Sequence, residues 1–189
     1  IDDDAFYECQ TLSSITIPNS VISIGASAFE SCINLLSITI PSSVTSIGAD
    51  AFNECECEII WDNPTIENIG NSAFNGYKGK NIVIPQTVKT IDNYAFYNLY
   101  NVVNVYYLGT IESWNNIVFN TNTANPMCSA EHFFMKNTQN EWFELIEIKL
   151  PNTITSIGAY AFSGFENLDS ITIPSSVTSI GSGAFNDCV

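Results

Sequence analysis

The residues able to do chemistry are few. Cys55-Glu56-Cys57 sets two thiols two residues apart, the spacing of half a tetrahedral metal site. Such a site needs a second ligand pair, which the other cysteines do not supply, and His132 lies far along the chain. His132, the single histidine, follows Cys128 and Ser129, so base and nucleophile types are close in sequence. It precedes Phe133-Phe134 in a stretch that reads as a hairpin, where a structural role is expected. Gly76-Tyr77-Lys78-Gly79-Lys80 has the glycines and lysines of a phosphate loop but lacks a hydroxyl residue after Lys and the full spacing; it reads as a turn. Asp2-Asp3-Asp4 lacks the alternating ligands of a calcium loop and reads as a solvated acidic end. Glu144 and Glu147 form a carboxylate pair suited to acid–base work, with no sign of a closed pocket around them. These readings predict no catalytic residue, no metal, no cofactor and no enzyme.

The elements that would position these residues repeat. Phe6, Phe29, Phe52, Phe74 and Phe96 recur every 22 or 23 residues, and Phe162 and Phe185 resume the series. Each follows an Ala and sits in a full or partial copy of the phrase Ile-Gly-x-x-Ala-Phe-x-x-Cys-x-x-Leu, continued in the best copies by Ser-Ile-Thr-Ile-Pro-x-Ser-Val. A fixed period of this length predicts a solenoid, because one unit cannot bury its apolar face alone. Within a unit, Ser37-Ile38-Thr39-Ile40 alternates polar and apolar as a half-buried strand does, and Pro41 ends it. Val44 and Ile47 suggest a second short extended piece. Ala49 to Glu54 reads as one helical or 3-10 turn, with Gly48 permitting the bend before it. Phe96 and Phe162 lie 66 residues apart, three times 22, which suggests three coils of chain, two of them without the motif.

The stretch from about 108 to 145 breaks the pattern. Phe133–Lys136 and Trp142–Leu145 flank the polar Asn137-Thr138-Gln139-Asn140, the signature of a β-hairpin. The expected organisation is one solenoid over 1–189, about eight coils of 22–23 residues, with this irregular insertion, in a segment of a longer protein. Uncapped apolar repeats at both ends suggest end-to-end self-association. Cys9, Cys32, Cys55 and Cys188 share one position, three residues after the Phe; a disulfide between neighbouring coils is conceivable there, and a reduced, buried ladder is expected.

Composition narrows the partners. The formal net charge is −15, and the only cationic side chains are five lysines. Phosphate backbones are held by clustered Lys and Arg, so nucleic acid and anionic membrane are poor partners. No apolar run approaches the length of a membrane helix, so no membrane insertion is expected.

The repeat phrase resembles the BspA-like leucine-rich repeat, named for a bacterial surface antigen. Leu35-x-x-Ile38-x-Ile40 is its core with Ile replacing Leu, and Val105 to Trp114 is similar to a segment common in such proteins from gut-associated bacteria. The resemblance implies a right-handed leucine-rich-repeat solenoid of short parallel strands with short helical or 3-10 turns. It also implies a non-enzymatic secreted or cell-surface protein that binds a protein or glycan on host or microbial surfaces, in adhesion; the alternative is a passive stalk. The surface available would be the outward strand residues. Most are Ser, Thr or Asn, and the face changes character at Tyr106, Glu147 and Lys149, with Asn104 beside them. These are the candidate ligand-binding residues, followed by Trp61 and Asp62 in a coil one residue short.

Overall fold

The computed structural model describes residues 1–188. The strands are short and begin after the first 22 residues: β1 (Ser23–Ile24), β2 (Ser37–Ile40), β3 (Ser46–Ile47), β4 (Glu58–Trp61) and β5 (Asn68–Ile69). There follow β6 (Asn81–Ile84), β7 (Thr90–Ile91), β8 (Asn104–Tyr107), the short α-helix α1 (Ile111–Asn115) and β9 (Val118–Phe119). Two 3-10 turns, Asn122–Ala124 and Pro126–Cys128, lead to β10 (His132–Lys136) and β11 (Trp142–Glu144). The last strands are β12 (Glu147–Lys149), β13 (Ser156–Ile157), β14 (Ser170–Thr172) and β15 (Ser179–Ile180).

Two ladders run along the stack. The two-residue strands pair in parallel in the order β1-β3-β5-β7-β9, with Ile24, Ile47, Ile69, Ile91 and Phe119 turned into the core. The longer strands form the other face, as β2-β4, then β6-β8-β10-β11, then β12-β14. The fold is therefore the solenoid that the period predicts, of the leucine-rich-repeat type that the resemblance implies. Its phenylalanines stack as rungs: Phe6, Phe29, Phe52, Phe74 and Phe96 lie 5.1–5.5 Å apart, nearly parallel, and Phe162–Phe185 continues at 5.6 Å.

The turn around each Phe is built differently from the helical or 3-10 turn expected of it. Asp50 and Glu54, two residues either side of Phe52, have φ of 55° and 56°, and equivalent residues in the other Phe coils are left-handed too. The N–H groups of Asp50, Phe52 and Glu54 point along the stack, to the carbonyls of Asn71, Ala73 and Asn75 at 2.8–2.9 Å, while Asn53 and Cys55 bond back to Asp50 and Phe52. Alternate amides thus serve the next coil and the local turn, which a helix would not allow. The 3-10 turns occur instead in the irregular coil. Gly48 also has a different reason from the bend proposed for it: a Cβ there would stand 2.7 Å from the backbone of Gly25 and Ala26 in the preceding coil. Gly48→Ala is expected to lower stability by about 1–3 kcal/mol through overpacking against rigid backbone, read as a lower denaturant midpoint at unchanged slope.

Between Phe96 and Phe162 the chain makes one coil without the motif, not two; the remaining residues form the hairpin β10–β11. No ladder joins β9 to β13, and side chains bridge the seam. Trp114 Nε1 donates to Ala161 O at 2.7 Å, and Asn125 Nδ2 donates to Tyr160 O and Ala161 O at 2.8 and 3.2 Å. Asn115 donates to Ser156 O at 3.0 Å and accepts from Gly158 N at 3.2 Å, imitating a strand's backbone. Thr110 caps α1 through Ser113 and so fixes the turn that presents Trp114 and Asn115.

Candidate binding face

The long-strand face is polar where the repeat is regular and aromatic where it is not. β10 pairs in parallel with β8, which sets His132 beside Asn104 and Phe134 beside Tyr106. Tyr106 and Phe134 stack at 5.0 Å, and Trp142 from β11 meets Tyr106 edge-on at 4.9 Å. Lys136 Nζ lies 5.1 Å from the Trp142 ring, a cation–π contact. Trp142 remains 42% exposed. Asn104 Nδ2 donates to Asn81 Oδ1 at 2.9 Å, so a row of amides borders the aromatic cluster.

The candidate residues separate into three places. Tyr106 and Asn104 belong to this cluster. Glu147 and Lys149, expected to share a patch with Tyr106, are exposed on β12, which pairs with β14 beyond the hairpin. Strands β10 and β11 follow β8 in the sheet, and this inserted pair sets the two groups apart. Trp61 lies opposite Ile40, turned to the core, and its Nε1 donates to Val83 O at 3.0 Å; it is a structural residue. Asp62 follows the strand, exposed, its N–H on Ile40 O.

That Trp61 bond spans a break in the sheet. β4 pairs only with β2 and β6 only with β8. Tyr77 occupies the position where neighbouring coils have Cys55 or Leu99, and its ring is buried under the break. Burial pushes its phenol well above the ordinary pKa. The Trp61 side chain thus stands in for a ladder bond on the β6 edge, and the Tyr77 ring packs beneath the break. Gly79 makes room, because a Cβ would overlap the Tyr77 phenol; this is the physical use of the glycine that gave residues 76–80 their likeness to a phosphate loop. Above the break a groove of about 570 Å³ is lined by Glu58, Ile59, Tyr77, Lys80, Tyr106 and Trp142, among others. It opens directly beside the aromatic cluster.

Sequence reasoning placed Tyr106 on this face but omitted Phe134, Trp142, Lys136 and Tyr77. The signals were present. The alternation of Phe133-Phe134-Met135-Lys136 puts Phe134 and Lys136 on one side, and Tyr77 is a bulky residue at a position held elsewhere by Cys or Leu. The reactive residues do not assemble. His132 Nδ1 sits 2.6 Å from Glu144 Oε1, whereas Cys128 Sγ donates to Asn122 O at 2.7 Å and lies 3.5 Å from Ser163 Oγ. Glu144 pairs with His132 on the hairpin, while Glu147 stands on a different sheet. Among the described residues no three His, Cys, Asp or Glu converge as metal ligands, and no helix is long and apolar enough to cross a membrane.

Comparison with known proteins bears on the fold and the family. The model of the BspA type leucine-rich repeat region matches six copies, over residues 1–125 and 135–189. The chain belongs to that family. The match is interrupted over residues 126–134, which hold the second 3-10 turn and the start of β10. A leucine-rich repeat protein from Bacteroides ovatus is similar in structure, with 23% identity and a TM-score of 0.51 over 99% of this chain and 55% of that one. The leucine-rich repeat protein of T. pallidum is similar over 100% of this chain and 69% of that one, with 22% identity and a TM-score of 0.53. The BspA-type chain thus spans about half the length of the Bacteroides ovatus protein. At this identity the likeness is one of fold. No curated protein matches.

Proposed function

We propose that this BspA-type solenoid is a non-enzymatic binding protein of the cell surface or secreted fraction. In this reading it engages a protein or glycan ligand, in adhesion, through the long-strand face around Tyr106. The observation that carries this is the cluster of half-buried Tyr106 and Phe134 with exposed Trp142, Lys136 on the indole, beside a groove of about 570 Å³. Aromatic rings offer large contact area with few rotors, which is why they concentrate binding energy at interfaces, and their faces also suit the apolar faces of sugar rings. The partner should not be a polyanion, given the net charge of −15. The uniform Ser and Thr of β2 and β14 favour a second reading, a passive spacer that holds another part of a longer chain away from the surface.

The test is binding to immobilised matrix proteins, mucins and bacterial surface proteins, with Tyr106→Ser/Trp142→Ser beside the native chain. Glu147→Ser/Lys149→Thr serves as a control on the separate sheet. Saturable binding weakened about 30-fold or more in the aromatic variant, the scale of a hot spot, and little changed in the control supports the adhesin. Equal loss in both variants removes the aromatic cluster as the site, and silence across the panel favours the spacer.

A further inference from the structure

The cysteine positions are not equivalent, although the repeat makes them so. Cys32 Sγ donates to Phe6 O at 3.2 Å, and Cys188 Sγ donates to Phe162 O at 2.9 Å, each reaching back to the Phe of the preceding coil. Cys55 should do likewise toward Phe29. It turns away, leaving only a 3.8 Å contact to Cys32 O, and its sulfur stands 2.7 Å from Cys57 Sγ. That is well inside the roughly 3.5–4.0 Å at which nonbonded heavy atoms pack best. Chain length explains the meeting. Ser37 begins β2 eight residues after Phe29, but Glu58 begins β4 six residues after Phe52. The shortened connection pulls Cys57 into the core place that Leu35 fills one coil earlier, against the Cys55 side chain. Both cysteines are 0% exposed.

We infer that Cys55 and Cys57 are a disulfide-forming pair, closed during folding in the presence of a disulfide oxidant and then sealed in the core. Cys55 thiolate attacks one sulfur of the oxidant, forming a mixed disulfide and releasing one thiol. Cys57 thiolate then attacks Cys55 Sγ, forming the Cys55–Cys57 bond and releasing the second thiol. The two cysteines lose two electrons and two protons, and the oxidant disulfide gains them as two thiols. In the folded core the contact between the sulfurs holds Cys55 below the ordinary thiol pKa and, with burial, pushes Cys57 above it. The remaining cysteines stay thiols: Cys32, for example, is pushed up to about 11 by burial and donates to a carbonyl.

The test refolds the whole chain from guanidinium in mixed oxidised and reduced glutathione, then denatures it in acid and alkylates it with N-ethylmaleimide. Expected is a chain with four of its six cysteines modified and two hydrogens missing, the unmodified pair mapping to the peptide that holds Cys55 and Cys57. Cys57→Leu, which restores the residue type of the preceding coil, should leave all five remaining thiols free. Dithiothreitol should open the bond in denaturant and leave it intact in native buffer over hours. Six adducts on the native sequence, or a bond mapped to Cys32–Cys55, overturns the pairing. Equal reduction rates with and without denaturant overturn the sealing.

Discussion

Trp114→Ala is expected to remove about 3–5 kcal/mol of stability, the range for truncating a buried Trp or Phe, and to loosen the last coils before the first. Trp114 is fully buried among Tyr107, Phe119, Phe133 and Phe165, with ring centroids 4.7–6.2 Å away. It also donates to Ala161 O across the seam where no ladder joins β9 to β13. A solenoid's stability is close to a sum of coil terms and interface terms between neighbours. A weakened interface therefore divides the molecule at that point. Hydrogen exchange should show the amides of Phe162 and Gly181 losing protection while those of Phe52 and Phe74 keep theirs. Trp114→Phe should cost only about 1 kcal/mol or somewhat more, because Ala161 O keeps Asn125 Nδ2 as a donor at 3.2 Å. Uniform loss of protection along the chain would show that the seam is no weaker than the regular interfaces.

This seam marks the limit of what the repeat could say. Stacking, strand faces and the phenylalanine rungs were legible because each is a local consequence of residue type recurring at a fixed interval. Ile38 and Ile40 must point one way and Thr39 the other. The seam was not legible, since Trp114, Asn115 and Asn125 reach partners 35 to 47 residues away. No periodic pattern encodes such bonds, and the 66-residue gap divided evenly into coils that the chain does not make. The binding face lay between these cases. Tyr106 was found from alternation alone, but Glu147 and Lys149 were grouped with it because the hairpin's second strand was not counted as a member of the sheet. The Phe turns were misread for a different reason. A run such as Ala-Asp-Ala-Phe-Asn-Glu satisfies helical propensity, while coil-to-coil hydrogen bonds force left-handed residues at both its ends. Tertiary bonding overrides local preference there.

The rungs make a second expectation sharp. Phe52→Ala should cost about 3–5 kcal/mol and Phe6→Ala markedly less, about 1–2 kcal/mol, although both occupy the same place in the repeat. Phe52 is fully buried and stacked on two sides, against Phe29 at 5.5 Å and Phe74 at 5.4 Å. Phe6 is only partly buried and stacks on Phe29 alone. Truncating Phe52 leaves a cavity with aromatic walls above and below, which cannot collapse without tilting two rungs that are themselves held by ladder bonds. Truncating Phe6 leaves a recess that solvent enters. The double variant Phe29→Ala/Phe52→Ala should cost less than the sum of its single changes, by about 0.5–1.5 kcal/mol, because each single variant already forfeits their shared stacking contact. Guanidinium unfolding of the native chain, the three single variants and the double variant measures all of these terms. Equal losses for Phe6 and Phe52 would mean that the rungs stabilise through their own turns and not through the stack. The fold would then behave as a string of independent coils, and the seam at Trp114 would lose its significance with it.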